Sequence, residues 1–150
     1  MYGFLLFLHL AGLAVWLGTT AMSAFLLMKA KQKLESKDVA DMSVGVVRTF
    51  NALTHTSAFL VLLSGILLLM RLGMENHDSF PFWLLFMEQF GAIVILLFIV
   101  LLSILSGKAR KALQSGDAAK ARKSVNNFIA ACFVMAVLVL VVIFVVSGKY

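Results

Sequence analysis

Four long apolar runs, separated by short segments that hold nearly all the charge, set the pattern of this chain. They extend roughly from Tyr2 to Met28, Asn51 to Met70, Phe82 to Ser106 and Asn126 to Ser147. At about 1.5 Å of rise per residue, each is long enough to cross a hydrocarbon core roughly 30 Å thick. Within that core the backbone has no water to bond, so runs of this length must close their own hydrogen-bond ladders as helices. The pattern predicts an all-α fold: one integral membrane four-helix bundle occupying residues 1–150, with helices at about 2–28, 51–70, 82–106 and 126–147.

Local signals refine the ends. Asp78-Ser79-Phe80-Pro81 reads as a helix start, with Asp78 or Ser79 as cap and Pro81 in the first turn. The segments between the first and second runs and between the third and fourth are rich in Ala, Lys, Gln, Glu and Arg, so they read as helix extensions joined by a turn. Asp117, just after Gly116, is placed to cap a juxtamembrane continuation of the fourth helix.

Composition agrees with burial in lipid. Hydrophobic residues make up 62% of the 150 positions and charged ones 13%, against about 45–50% and 25% in ordinary soluble domains. One proline and one cysteine leave no disulfide framework and no cysteine-based zinc site within a single copy. The N-terminus, Met1-Tyr2-Gly3-Phe4, lacks a basic region and a small-residue cleavage site, so the first run reads as a retained helix.

Charge sets an orientation. The connection from Lys29 to Arg48 has five basic residues against three acids, and that from Gly107 to Lys123 has six against Asp117 alone. The middle connection, Arg71 to Pro81, has one basic residue and the acids Glu75 and Asp78. The positive-inside rule then puts the first and third connections in the cytoplasm, with both termini and the middle loop outside. The net charge of +6 is on this reading a topological signal and a means of attracting anionic lipid headgroups, not a nucleic-acid footprint.

Polar side chains within a bilayer are costly and turn inward, so each one is a candidate for function. His9, Gly12, Trp16, Thr19 or Thr20, and Ser23 recur at spacings of three and four, along one helix face. Such a face serves helix packing through small residues or presents His9 to a ligand. Counting from the outer surface, His9 lies about 12 Å deep. Glu88, about six residues into the third helix, descends from the same surface, and a carboxylate near an imidazole suits a metal ligand or a proton relay. His55, in the polar stretch Asn51-Ala52-Leu53-Thr54-His55, lies near the inner surface. Its offset from His9 of about 10 Å disfavours one haem iron held by both. His77, Met74 and Met87 add imidazole and thioether, a pairing that suits copper, although methionine is also an ordinary gap filler. Cys132 reads as a small packing residue. Phosphate loops, His-Glu-x-x-His pairs and Ser-His-Asp sets are missing, so hydrolytic and nucleotide-driven chemistry are not expected; the chain reads more as a binder than as an enzyme, with no assignable catalytic residue.

The segment Phe7-Leu8-His9-Leu10-Ala11-Gly12-Leu13-Ala14-Val15-Trp16-Leu17-Gly18 resembles the first helix of the copper-resistance D (CopD-like) superfamily of small bacterial membrane proteins, which includes the HemJ-type protoporphyrinogen oxidases. Ser64-Gly65-Ile66-Leu67-Leu68, Trp83-Leu84-Leu85 and Gly116-Asp117 extend the resemblance to all four helices. Only the His-x-x-Gly-x-x-x-Trp-x-Gly segment has moderate specificity. The resemblance implies a four-helix core in the bacterial cytoplasmic membrane that handles copper or a haem-type ligand through His9. The oxidase-like members have a lysine soon after the tryptophan that opens helix three. This chain reads Trp83-Leu84-Leu85-Phe86-Met87-Glu88 there, which argues against porphyrinogen oxidation.

Three functions are thus expected, in this order. The first is binding or passage of copper, with His9, Met87 and Glu88 as ligands and Met74 and His77 at the entry. The second is a haem b protein, an electron carrier or haem-pathway enzyme, with His9 as axial ligand, Trp16 against the macrocycle and His55 as a further cofactor contact. The third is an accessory subunit without cofactor, whose small-residue faces meet a second copy or a partner membrane protein.

Overall fold

In the computed structural model, which describes residues 2–72 and 81–148, the four runs are helices: α1 Tyr2–Ala30, α2 Lys37–Leu72, α3 Phe82–Gln114 and α4 Ala118–Gly148. A single 3₁₀ turn, Lys31–Lys33, leads out of α1. The helices contain 29, 36, 33 and 31 residues. At about 1.5 Å per residue all are longer than a hydrocarbon core roughly 30 Å thick, so part of each must project from the membrane. Most of the surplus is at the end carrying the two basic connections. There α2 begins at Lys37 and not near Asn51, and α3 continues past Ser106 to Gln114. The polar composition of these segments ends an apolar run without ending a helix, because Ala, Lys, Gln and Arg are good helix formers.

Consecutive helices run antiparallel. The closest pairings are α1 with α2 and α3 with α4, and α2–α3 and α1–α4 contacts complete the ring. Both basic connections therefore share one end of the bundle, called here the basic end. The N-terminus of α1 and the C-terminus of α4 lie at the other, terminal end. The α3–α4 turn depends on Gly116, whose φ of 76° lies in the left-handed region open to glycine. Asp117 caps α4 by accepting the Lys120 backbone N–H at 3.0 Å. At the start of α3, Pro81 stands one position outside the helix with extended backbone. Asp78 and Ser79 lie outside the described residues.

Polar side chains within the bundle are largely satisfied by their own helices. The hydroxyls of Thr20, Ser43, Thr54 and Ser64 donate to the carbonyls of Trp16, Val39, Phe50 and Leu60, one turn back. Outward-facing Phe7, Phe59, Val100, Phe133 and Phe144 are more than half exposed, as expected of side chains that meet lipid. Small residues bring the helices close. A Cβ on Gly12 would stand 2.8 Å from Val61 Cγ2 and 3.3 Å from the Ser57 carbonyl oxygen, so α1 and α2 touch there almost backbone to backbone.

A chain of aromatic rings ties the four helices together at mid-bundle. Trp16 of α1 meets Phe98 of α3 edge to face at 4.4 Å, Phe98 lies 6.3 Å from Phe50 of α2, and Phe50 meets Phe128 of α4 edge to face at 5.0 Å. All four are at most 2% exposed. From this plug to the basic end, Leu27, Val47, Leu102, Ala109, Val125 and their neighbours form a close-packed core. Cys132 joins it as a buried packing residue.

Candidate functional site

Toward the terminal end residues of all four helices line a partly open cavity of about 610 Å³. Its walls are overwhelmingly aliphatic, with Leu13 of α1, Leu62 and Leu69 of α2, Ile95 of α3 and Val142 of α4 among them. Small residues leave the space open: Gly65 on α2, and Gly91 and Ala92 on α3. Trp16, with the plug beneath it, closes the floor. The polar groups on the lining include His9, Glu88, Gln89 and Ser147.

His9 projects from α1 toward α2. Its Nδ1 lies 3.0 Å from the Val61 carbonyl oxygen and 3.2 Å from Ser64 Oγ. A carbonyl can only accept, so Nδ1 carries the proton and donates, and Nε2 keeps its lone pair. No protein group among the described residues bonds Nε2. Anchoring one ring nitrogen to the backbone fixes tautomer and ring orientation, as it does for histidines that ligate metals. Gly65 makes this placement feasible, since a Cβ there would come within 3.3 Å of His9 Cε1.

Of the residues singled out from the sequence, His9, Trp16, Met87 and Glu88 line this one cavity. Met87 and Glu88, from the first turns of α3, are half-buried. His55 is elsewhere. It lies inside α2, two to three turns from the Val61–Gly65 segment that faces His9, a separation of about 9–15 Å along the helix. Its Nδ1 donates to the Asn51 carbonyl at 2.7 Å and its Nε2 lies 2.7 Å from Ser103 Oγ of α3. Both ring nitrogens thus have protein partners, so the ring joins α2 to α3 and has no lone pair free for the cavity. Met74 and His77 lie outside the described residues. Among those described, no three His, Cys, Asp or Glu side chains come together as an ion-binding group.

The groups that orient His9, the Val61 carbonyl and the Ser64 hydroxyl, are not evident from the sequence of α1. A signal for that face existed: Ser57, Val61, Ser64 and Gly65 recur at helical spacing on α2. The Trp16 Nε1–H was also not foreseen. It is buried and has no acceptor among the described residues.

Four long apolar helices in an up-and-down bundle, with one end close-packed and the other holding an aliphatic cavity, define a polytopic membrane protein. The family model for predicted integral membrane proteins designated DUF2269 matches residues 3–148, and the chain belongs to that family. No curated protein and no solved structure matches it.

Proposed function

We propose that this protein is a ligand-binding protein of the bacterial cytoplasmic membrane, with its termini outside, and that its cavity takes a flat apolar macrocycle of the haem b class with His9 Nε2 as an axial ligand to the iron. The observation that carries this reading is the combination of an imidazole oriented by a backbone carbonyl with a large aliphatic chamber. The volume falls in the range of roughly 300–1,000 Å³ typical of small-molecule sites. A macrocycle needs apolar walls and one or two axial donors, and the cavity lining supplies His9 and the Met87 thioether.

Copper is the second reading, favoured by His9, Met87 and Glu88 on the same lining. A single ion would occupy a small part of the chamber. Passage through the bundle would also have to cross the Trp16–Phe98–Phe50–Phe128 plug and the apolar core behind it. The geometry therefore favours a pocket blind at the plug over a conduit and ranks haem above copper.

Titrating purified protein with haem and, separately, with Cu(I) tests the order. The haem reading expects saturable binding of one haem per chain, lost in His9→Ala and altered in spectrum in Met87→Leu. Stoichiometric Cu(I) binding that needs His9, Met87 and Glu88, with no haem uptake, would reverse the order. Binding of neither, with intact assembly, would leave the accessory-subunit role.

A further inference from the structure

At the basic end, between the turn that follows α1 and the first three turns of α4, lies a cleft of about 470 Å³. Leu34, Glu35, Arg122, Lys123, Asn126 and Asn127 line it. Its position in the sequence sets its level in the membrane. Asn126 and Asn127 are the last polar residues before the apolar run of α4, so the cleft opens where hydrocarbon gives way to headgroups.

Two hydrogen bonds set out its polar groups. Arg122 Nε donates to the Lys31 carbonyl at 3.2 Å, which holds the guanidinium in place and leaves its terminal nitrogens unengaged. Lys31 Nζ donates to Asn126 Oδ1 at 2.9 Å, so the Asn126 amide turns its Nδ2 donors away from the lysine. One wall thus presents the guanidinium of Arg122, the ammonium of Lys123 and an amide donor, a set suited to a phosphodiester. Glu35 contributes a carboxylate to the same cleft and has no ion-pair partner among the described residues. That carboxylate would repel a purely anionic headgroup but pair with one that also carries an amine.

We propose that this cleft is a binding site for an aminophospholipid headgroup, with the phosphate on Arg122, Lys123 and Asn126 and the amine on Glu35. The acyl chains leave toward the apolar surface of α4. The site is separate from the terminal-end cavity and does not depend on what that cavity holds.

Native mass spectrometry of the detergent-solubilised full chain tests it, using phosphatidylethanolamine, phosphatidylglycerol, glycerophosphoethanolamine and inorganic phosphate as separate probes. Phosphatidylethanolamine is expected to bind more tightly than phosphatidylglycerol. Arg122→Gln should weaken both by about tenfold, the scale of one charge-assisted hydrogen bond. Glu35→Gln should remove the preference by weakening phosphatidylethanolamine alone. Lys33→Gln, which deletes an equal charge outside the cleft, should leave the preference intact. Arg122, Glu35 and Lys33 are all exposed, so the variants are expected to fold, and circular dichroism checks that they do. Equal binding of the two lipids in wild type, or a preference unmoved by Glu35→Gln, would overturn the assignment. So would an effect of Lys33→Gln as large as that of Arg122→Gln. Inorganic phosphate binding as well as the lipid, with the same Arg122 dependence, would identify a free-phosphate site instead.

Discussion

At the scale of single residues, the account rests on how one imidazole is held. His9 has its proton on Nδ1 because the Val61 carbonyl can only accept, and this leaves the Nε2 lone pair for the ligand proposed above. Gly65 is the counterpart on α2. A methyl group there would sit 3.3 Å from Cε1, tight enough to push the ring off its carbonyl. Gly65→Ala is therefore expected to weaken haem binding on the order of tenfold, about 1.4 kcal/mol, with little change in thermal stability. Parallel titrations and melting curves would check this, and an unchanged affinity would show that the ring adjusts freely. Ser64→Ala should do less, since it removes only the longer of the two Nδ1 contacts. His55 is predicted to be dispensable for the ligand: His55→Gln should keep full haem content, because both its nitrogens face protein groups.

At the scale of elements, helix proximity depends on where small residues fall, and two glycines of α1 make opposite predictions. A Cβ on Gly12 would collide with Val61 Cγ2 and crowd the Ser57 carbonyl, and a β-branched side chain beside fixed backbone has little room to yield. Gly12→Ala should lower stability by about 1–3 kcal/mol. Gly18 faces open space, so Gly18→Ala should be neutral or stabilising by up to about 1 kcal/mol, through helix propensity alone. Thermal melting in detergent distinguishes them, and equal effects would contradict the α1–α2 contact described here.

The elements also show what the sequence could disclose. The number and type of helices were legible because lipid admits few alternatives for an apolar run of about 20 residues. Hydropathy alone understates their length, since it marks where lipid ends and not where the hydrogen-bond ladder ends; the Ala, Lys, Gln and Arg of the connections signalled the extensions, and α2 starts at Lys37. Spacing along α1 placed His9 and Trp16 on one face, because both belong to one element. It could not supply the rotation of α2 and α3 about their axes. That rotation turns Val61 and Ser64 toward His9 and joins His55 to Ser103. The Trp16–Phe98 contact links residues on different helices and was hidden for the same reason.

For the whole molecule, the two ends have different characters. The basic end is close-packed and holds most of the charge, while the terminal end is open and largely apolar, with the aromatic plug between them. Orientation in the membrane follows from the charge distribution. In a Cys132→Ala background, cysteines introduced at Gln32 and Ser115 should react with an impermeant maleimide only after the cells are opened. One at Tyr2 should react in intact cells. The reverse pattern would invert the topology and put the His9 cavity on the cytoplasmic side.

The most direct test of the central claim is the absorption spectrum of detergent-purified protein from haem-replete cells, oxidised and then reduced with dithionite, for wild type and His9→Ala. The account predicts a Soret band with sharpened α and β bands on reduction in wild type, and their loss in a folded His9→Ala protein. A featureless visible spectrum in wild type, or a haem spectrum that survives His9→Ala unchanged, would contradict it.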